Sequence, residues 1–180
     1  MSGASHPPHE GASVQAHREA AILRVPCAVV TVSDTRDLET DTGGALAVEL
    51  LTGAGHPVVL REIVHDAPAE IAAATRRALG HPEVRAVVLT GGTGVAPRDV
   101  TPETLEPLLE RVIPGFGELF RALSYQEIGS AALLSRALAG LAAGRVVFAL
   151  PGSRGAVRLA LEKLVLPELG HLAAEARKTR

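Results

Sequence analysis

The chain predicts a three-layer α/β domain built on a mostly parallel sheet, and three observations carry that prediction. Short, continuous apolar runs at Cys27–Val32, Val84–Thr90 and Val146–Leu150 have the pattern of strands buried on both faces. Each run stops at a polar or glycine-containing turn: Ser33-Asp34, Gly91-Gly92 and Pro151-Gly152-Ser153. Segments of helical period separate them, and strands that alternate with helices imply parallel pairing with helices on both faces.

Residues 1–21 form a tail rich in Ser, Gly, Pro and His, expected to be disordered or partly helical. His6, His9 and His17 lie there without metal-ligand spacing. One domain is expected over 22–180. After the first strand, Leu46, Leu50 and Leu51 mark one face of a helix ending at Gly53. Val58–Val64 is a second strand. Ile71, Ala74, Thr75, Ala78 and Leu79 mark the next helix, with Pro68 in its first turn and Gly80 at its end. Beyond Thr90, Leu105, Leu108, Leu109 and Val112 predict a third helix, with Thr101 as N-cap and Pro102 as its first residue. Ile113–Glu118 is expected to be a loop before a helix at Leu119–Tyr125. No strand is evident between Val112 and Gly144, so about thirty residues are expected to cover the sheet edge or a pocket. A last helix starts after Ser153 with Val157, Leu161, Leu164 and Val165 inward, and Pro167 marks a kink or a junction to a terminal helix.

A chain of 180 residues with 47% apolar and 21% charged residues suits one globular domain with a sizeable core. Aromatic content of 2% means that aliphatic side chains must build that core. A formal net charge of −2 gives no general attraction to nucleic acid or to anionic membranes. No apolar run approaches the ~18 residues of a membrane span, and no signal peptide is evident. Cys27 is the single cysteine and lies in an apolar run, which predicts a buried, inert thiol. Together these features predict a cytoplasmic protein.

The most informative segment is Val87–Gly94 followed by Arg98-Asp99-Val100-Thr101-Pro102-Glu103. A buried strand meets a glycine-rich turn, then an aspartate, then a helix start. Glycines let backbone amides converge on phosphate oxygens, and a nearby carboxylate can hold a cation. A P-loop is excluded because the only lysines are Lys163 and Lys178. A dinucleotide fingerprint is excluded because Gly92-Thr93-Gly94 is followed by Val95-Ala96-Pro97, which lacks the third glycine.

Ligands in open α/β sheets bind beyond the carboxyl ends of the strands. That rule groups Ser33, Asp34, Asp66, Thr90, Gly91–Asp99 and Pro151–Ser153 on one rim. Asp66 could cap a helix and Asp99 could close a loop. Together they could instead hold Mg²⁺, which takes one or two carboxylates plus phosphate oxygens. Arg98 suits a phosphate contact, and Ser153 heads a helix whose N-terminus can receive an anion. His65 fits a solvated loop histidine better than a general base. The absence of a nucleophile–base pair and of a basic-aromatic surface disfavours hydrolases and nucleic-acid binding.

Eight short motifs occur in a distinctive order: Thr31–Asp34, Asp41-Thr42-Gly43, Leu89–Gly94, Arg98–Glu103, Pro114–Glu118, Leu123-Ser124 with Glu127-Ile128-Gly129, Leu134–Ala137 and Ala149–Ser153. The set resembles the molybdenum cofactor biosynthesis proteins MoaB and MogA, with the segment from Phe120 onward closer to the MoaB branch. The resemblance covers roughly Arg24 to Pro167. It implies the three-layer α/β/α molybdopterin-binding fold. It also implies Mg²⁺-dependent adenylylation of molybdopterin by ATP, giving adenylyl-molybdopterin and pyrophosphate. Asp66 and Asp99 would be the catalytic, metal-holding pair. Thr90, Gly91, Gly92, Thr93, Gly94, Pro151, Gly152 and Ser153 would line the phosphate or pterin pocket. Gly115, Phe116, Gly117, Glu118 and Ser135 would lie nearby. A homo-trimer or homo-hexamer is implied, with hand-off to a molybdenum-insertion protein. The alternative is a non-catalytic molybdopterin-binding or carrier protein of the same pathway.

Overall fold

The computed structural model describes residues 24–178. The expected N-terminal tail, with His6, His9 and His17, lies outside the described residues. Six strands form one sheet: β1 (Cys27–Val32), β2 (Val58–Val64), β3 (Ala86–Thr90), β4 (Arg111–Val112), β5 (Leu138–Ala142) and β6 (Arg145–Leu150). Their order is β2-β1-β3-β6-β5-β4. β1 pairs in parallel with β2 and β3, and β3 pairs in parallel with β6. β5 and β4 extend the sheet antiparallel. The predicted class therefore holds, with an antiparallel edge added to a parallel centre.

Helices cover both faces: α1 (Thr42–Gly53), α2 (Pro68–Gly80), α3 (Thr101–Leu105), α4 (Pro114–Ile128), α5 (Arg154–Ala160) and α6 (Leu166–Glu175). The central strands divide their side chains between two cores by the period-two alternation of a pleated strand. Cys27, Val29, Ala86, Val88, Val146 and Phe148 face Leu46, Leu51, Phe120, Val157 and Leu169 from α1, α4, α5 and α6. Ala28, Val30, Val87, Leu89, Val147 and Ala149 face Ile71, Ala74 and Ala78 of α2 and Leu105 of α3. Three of the scarce aromatics anchor the first core: the Phe116 ring lies 6.4 Å from Phe120 and 5.4 Å from Phe148. Among the described residues, no helix is long and apolar enough to cross a membrane.

Three local expectations are overturned. The third helix does not reach Val112. α3 ends at Leu105 and a 3₁₀ turn spans Glu106–Leu108, because Pro107 lacks an amide and disfavours helical backbone before it. Ile113–Glu118 is not a loop, since α4 starts at Pro114. Gly117 serves packing: a Cβ there would stand 2.7 Å from the Ala137 carbonyl oxygen. Strands also exist where none was evident. β5 reads Leu-Ala-Gly-Leu-Ala, a composition of low strand propensity, and is held by its pairing with β6. Gly140 within it makes room for the neighbouring edge, since a Cβ there would stand 2.6 Å from Leu109 Cδ1. The last helical stretch has the expected junction: a π-helical turn at Leu161–Val165 separates α5 from α6, where Pro167 sits in the first turn.

The β5–β6 hairpin turns through Ala143 and Gly144 with φ of 49° and 69°, the geometry of a two-residue type I′ turn. Alanine is strained in this region by about 1–2 kcal/mol per residue, whereas asparagine tolerates it. Ala143→Asn is expected to stabilise the protein by about 1 kcal/mol and raise Tm by roughly 2–4 °C, measured by calorimetry. Cys27 is fully buried, and burial pushes its thiol pKa up to about 12. Native protein at pH 8 is expected to leave a thiol reagent unconsumed, while denatured protein titrates one thiol per chain.

Candidate active site

The loops leaving β1, β3 and β6 meet backbone to backbone. Gly91 and Gly92 end β3 with φ of 103° and 64°. A Cβ on Gly91 would stand 2.2 Å from the Val32 carbonyl oxygen. One on Gly152 would stand 3.3 Å from Gly91 Cα, and one on Gly43 2.9 Å from the Gly152 oxygen. Ser33 N–H donates to Val64 O and Gly91 N–H to Leu150 O, each at 2.9 Å. Ser33, Asp34, Asp66, the glycine loop and Pro151–Ser153 thus share the rim that the strand directions predict.

Thr101 fastens the glycine loop from below. It is the first helical residue of α3 rather than its N-cap, the position taken by Val100. Its buried hydroxyl donates to Gly91 O and its amide to Gly92 O, both at 3.0 Å. Arg136 fastens the loop from the side. Its amide donates to Thr93 O at 2.9 Å, its Nε to Gly94 O at 2.6 Å, and its Nη2 to Asp99 O. Its Nη1 pairs with Glu103, which holds that carboxyl below the usual range. The amides of Gly92, Thr93 and Gly94 donate to no described residue.

Asp66 lies against Gly92 of this loop and Asp99 against Gly94. A Cβ on Gly92 would stand 2.9 Å from Asp66 Oδ1, and one on Gly94 2.6 Å from Asp99 Oδ2. Asp99 Oδ2 accepts from Ala96 N–H at 2.8 Å, so the loop-closing role is real for that oxygen. Asp66 does not cap α2, whose N-cap is Ala67. Its amide instead donates to Asp34 Oδ1 at 2.9 Å. Its own Oδ1 is buried and has no hydrogen-bond partner among the described residues. Burial raises the Asp66 pKa above the ordinary carboxylate value, and the charges of Asp99 and Asp34 raise it further; the Val100 amide and Arg98 oppose the shift. Arg98 itself is exposed on the loop.

Of the cavities that adjoin the loops, two reach Ser153 at the end of β6. One of ≈ 210 Å³ is bounded by Thr93, Gly94, Phe120, Leu134, Ser135, Pro151 and Ser153 and is mostly apolar. The Ser135 hydroxyl is buried beside it without a partner among the described residues. The other, ≈ 230 Å³, is bounded by Thr31, Ser33, Arg36, Asp41, Thr90, Gly152 and Ser153. Ser153 lines both and N-caps α5, accepting from Ala156 N–H at 3.3 Å. Gly115, Phe116, Gly117 and Glu118 line neither cavity: Phe116 and Gly117 are buried in packing and Glu118 is exposed. A larger cavity of ≈ 530 Å³ lies at the amino end of β6, among Arg85, Glu110, Arg145 and Arg177, and contains none of the predicted site residues. The carboxylates and the unpaired amides lie together on the rim and not around that larger cavity.

Two contributors escape sequence reasoning. Arg136 reaches the loop from beyond α4, and nothing in its neighbours' spacing announces that contact. Asp41 is buried; it N-caps α1 through Gly44 N–H at 2.9 Å and accepts from Thr31 Oγ1 at 2.7 Å and Arg61 Nη2 at 3.2 Å. The Asp-Thr-Gly-Gly order at 41–44 carries the signal of a helix start.

The chain as a whole is similar to known proteins. The model of a family described as a probable molybdopterin binding domain matches residues 28–171. Molybdenum cofactor biosynthesis protein B of Halalkalibacterium halodurans is 47% identical over 169 residues, covering 93% of this chain and 99% of that protein. A crystal structure of a molybdenum cofactor biosynthesis protein B superposes with a TM-score of 0.85 at 51% identity, covering 87% of this chain and 98% of that one. The tungsten cofactor synthesizing protein MoaB from Pyrococcus furiosus gives a TM-score of 0.79 at 38% identity, covering 88% and 100%. With the family model matched over residues 28–171 and the fold and nearly the whole described length in agreement with these relatives, the chain belongs to the molybdopterin-binding-domain family of molybdenum cofactor biosynthesis proteins.

Proposed function

We propose that this chain transfers the adenylyl group of ATP to molybdopterin, with Asp66 and Asp99 holding Mg²⁺. The observation that carries the reading is the buried, unpartnered Oδ1 of Asp66 beside Asp99, Asp34 and a loop of unpaired amides. An acceptor that is desolvated, crowded by like charge and left without a donor suits a cation. Among the described residues no group of three or more His, Cys, Asp and Glu side chains could hold a metal ion unaided. That suits Mg²⁺, which takes few carboxylates and completes its octahedron with water and phosphate oxygens. When bound, the ion would neutralise phosphate charge as it builds up.

The chain's own groups supply the rest. The amides of Gly92, Thr93 and Gly94 would bind phosphate oxygens, with Arg98 at the exposed edge. The apolar cavity beside Phe120 suits a flat heterocycle, and the Ser135 hydroxyl there would meet its polar edge. A terminal phosphate oxygen of molybdopterin attacks the α-phosphorus of ATP. The bond from that phosphorus to the bridging oxygen breaks, and pyrophosphate leaves with the electron pair. Pre-set amides need no reorganisation as charge moves, which is where the acceleration arises. The exposed side chains Leu119, Tyr125, Ile128, Leu133 and Leu134 support association into a homo-trimer or homo-hexamer.

Pyrophosphate release from ATP, molybdopterin and Mg²⁺ is the direct test. Asp66→Asn and Asp99→Asn are each expected to reduce it by about 10²-fold or more while the fold is retained. Molybdopterin binding by the wild type without pyrophosphate would instead identify a carrier. A second prediction concerns stability. The raised pKa of Asp66 means its contribution is full below the ordinary carboxylate pKa and is lost as pH rises through the folded-state value. Asp66→Asn removes that loss. Its Tm at pH 7 is expected to equal or exceed that of the wild type, with the gap closing as pH falls below the carboxylate range. Mg²⁺ should raise the Tm of the wild type and not that of Asp66→Asn.

A further inference from the structure

We propose that Arg136 is a positioning residue for this transfer: it orients the glycine-loop amides and Asp99 by holding the carbonyl groups behind them. The inference rests on the adenylyl-transfer reading for its substrate and on geometry for its mechanism.

A trans peptide is planar, so each carbonyl points opposite to the amide N–H of the next residue. The described chain has no cis peptide bonds. Four successive carbonyls are held by donors behind the loop. Gly91 O takes the Thr101 hydroxyl, Gly92 O the Thr101 amide, Thr93 O the Arg136 amide, and Gly94 O the Arg136 Nε. The N–H groups of Gly92, Thr93, Gly94 and Val95 are therefore turned away from those donors, and none of the four donates to a described residue. Thr101 sets the first two and Arg136 the last two. The same guanidinium donates to the main-chain carbonyl of Asp99, so the backbone that carries the loop's carboxylate is anchored by the group that sets its amides, while the carboxylate itself accepts from Ala96 N–H. Glu103 completes the fork and keeps the guanidinium in that plane.

This arrangement needs arginine. The planar fork spreads its donors over three directions, and here they meet Gly94 O, Asp99 O and Glu103. A lysine ammonium is a single point and cannot span those acceptors, although it keeps the positive charge. Arg136→Lys thus separates the charge from the fork, and Arg136→Gln removes both.

The test measures three quantities on the full chain. For Arg136→Gln, kcat for pyrophosphate release is expected to fall by about 10²-fold, as for loss of a reactive alignment. KM for molybdopterin should change much less, since the cavity walls from Phe120, Leu134 and Pro151 make no hydrogen bond to the guanidinium. More Mg²⁺ should be needed for half-maximal rate. Arg136→Lys is expected to recover the wild-type Tm but not kcat, which a purely stabilising role would not produce. Hydrogen exchange of the peptide covering 92–101, without any ligand, should be faster in both variants, because the amides of Ala96, Asp99 and Thr101 depend on this loop geometry. Wild-type kcat in Arg136→Lys, or unchanged exchange in both variants, would overturn the proposal. If Arg136→Gln does not fold, Arg136→Lys alone decides it. Wild type that releases no pyrophosphate, with faster exchange in the variants, would sink the adenylyl-transfer reading and uphold the loop-positioning role.

Discussion

The constraint on which the rim depends is steric. At the end of β3 the chain must reverse direction within van der Waals reach of the β1 backbone, and only residues without a Cβ fit. Gly91 lies against Val32 O, Gly152 against Gly91, and Gly43 against Gly152 O. This chain of close contacts joins the ends of three parallel strands and the start of α1. Its consequence is that the rim is lined by polar backbone groups rather than by bulky side chains at the glycine loop. Backbone groups anchored at both ends move little, and so make a better-defined electrostatic surface than long flexible side chains.

The rim also shows two solutions to a desolvated carboxylate. Asp41 is satisfied by Thr31, Gly44 and Arg61 and serves as a structural pin. Asp66, a few ångströms from Gly92, keeps one oxygen unsatisfied, and like charges surround it. Burying a carboxylate without a full set of donors costs stability. The two residues are chemically identical, and their surroundings alone separate a pin from a candidate ligand.

Much of this was legible in the amino-acid order. β1, β3 and β6 are apolar on both faces, and such runs declare themselves without reference to partners. Their direction alone grouped Asp66 with Gly91–Asp99. β5 was not legible because Leu-Ala-Gly-Leu-Ala lacks β-branched residues; its extended form comes from the β6 edge it pairs with. α4 was obscured by Gly115 and Gly117, which signal a loop locally; Gly117 fits a crowded contact with Ala137, whereas Gly115 faces open space. Arg136 escaped for a deeper reason. Its partners lie 33 to 42 positions earlier, and no local pattern encodes a contact of that span.

The Ala143-Gly144 turn then acquires a role as a ruler. It sets Leu138 opposite Ala149, and Arg136 lies just before Leu138 at the rim end of β5. Each residue of slip along a strand moves the chain by about 3.3 Å, and a single step also exchanges its faces. A hairpin one residue longer or shorter would carry the guanidinium out of reach of Gly94 and Asp99. A tight turn at the far end of the sheet thus meters the distance at which an arginine meets the glycine loop.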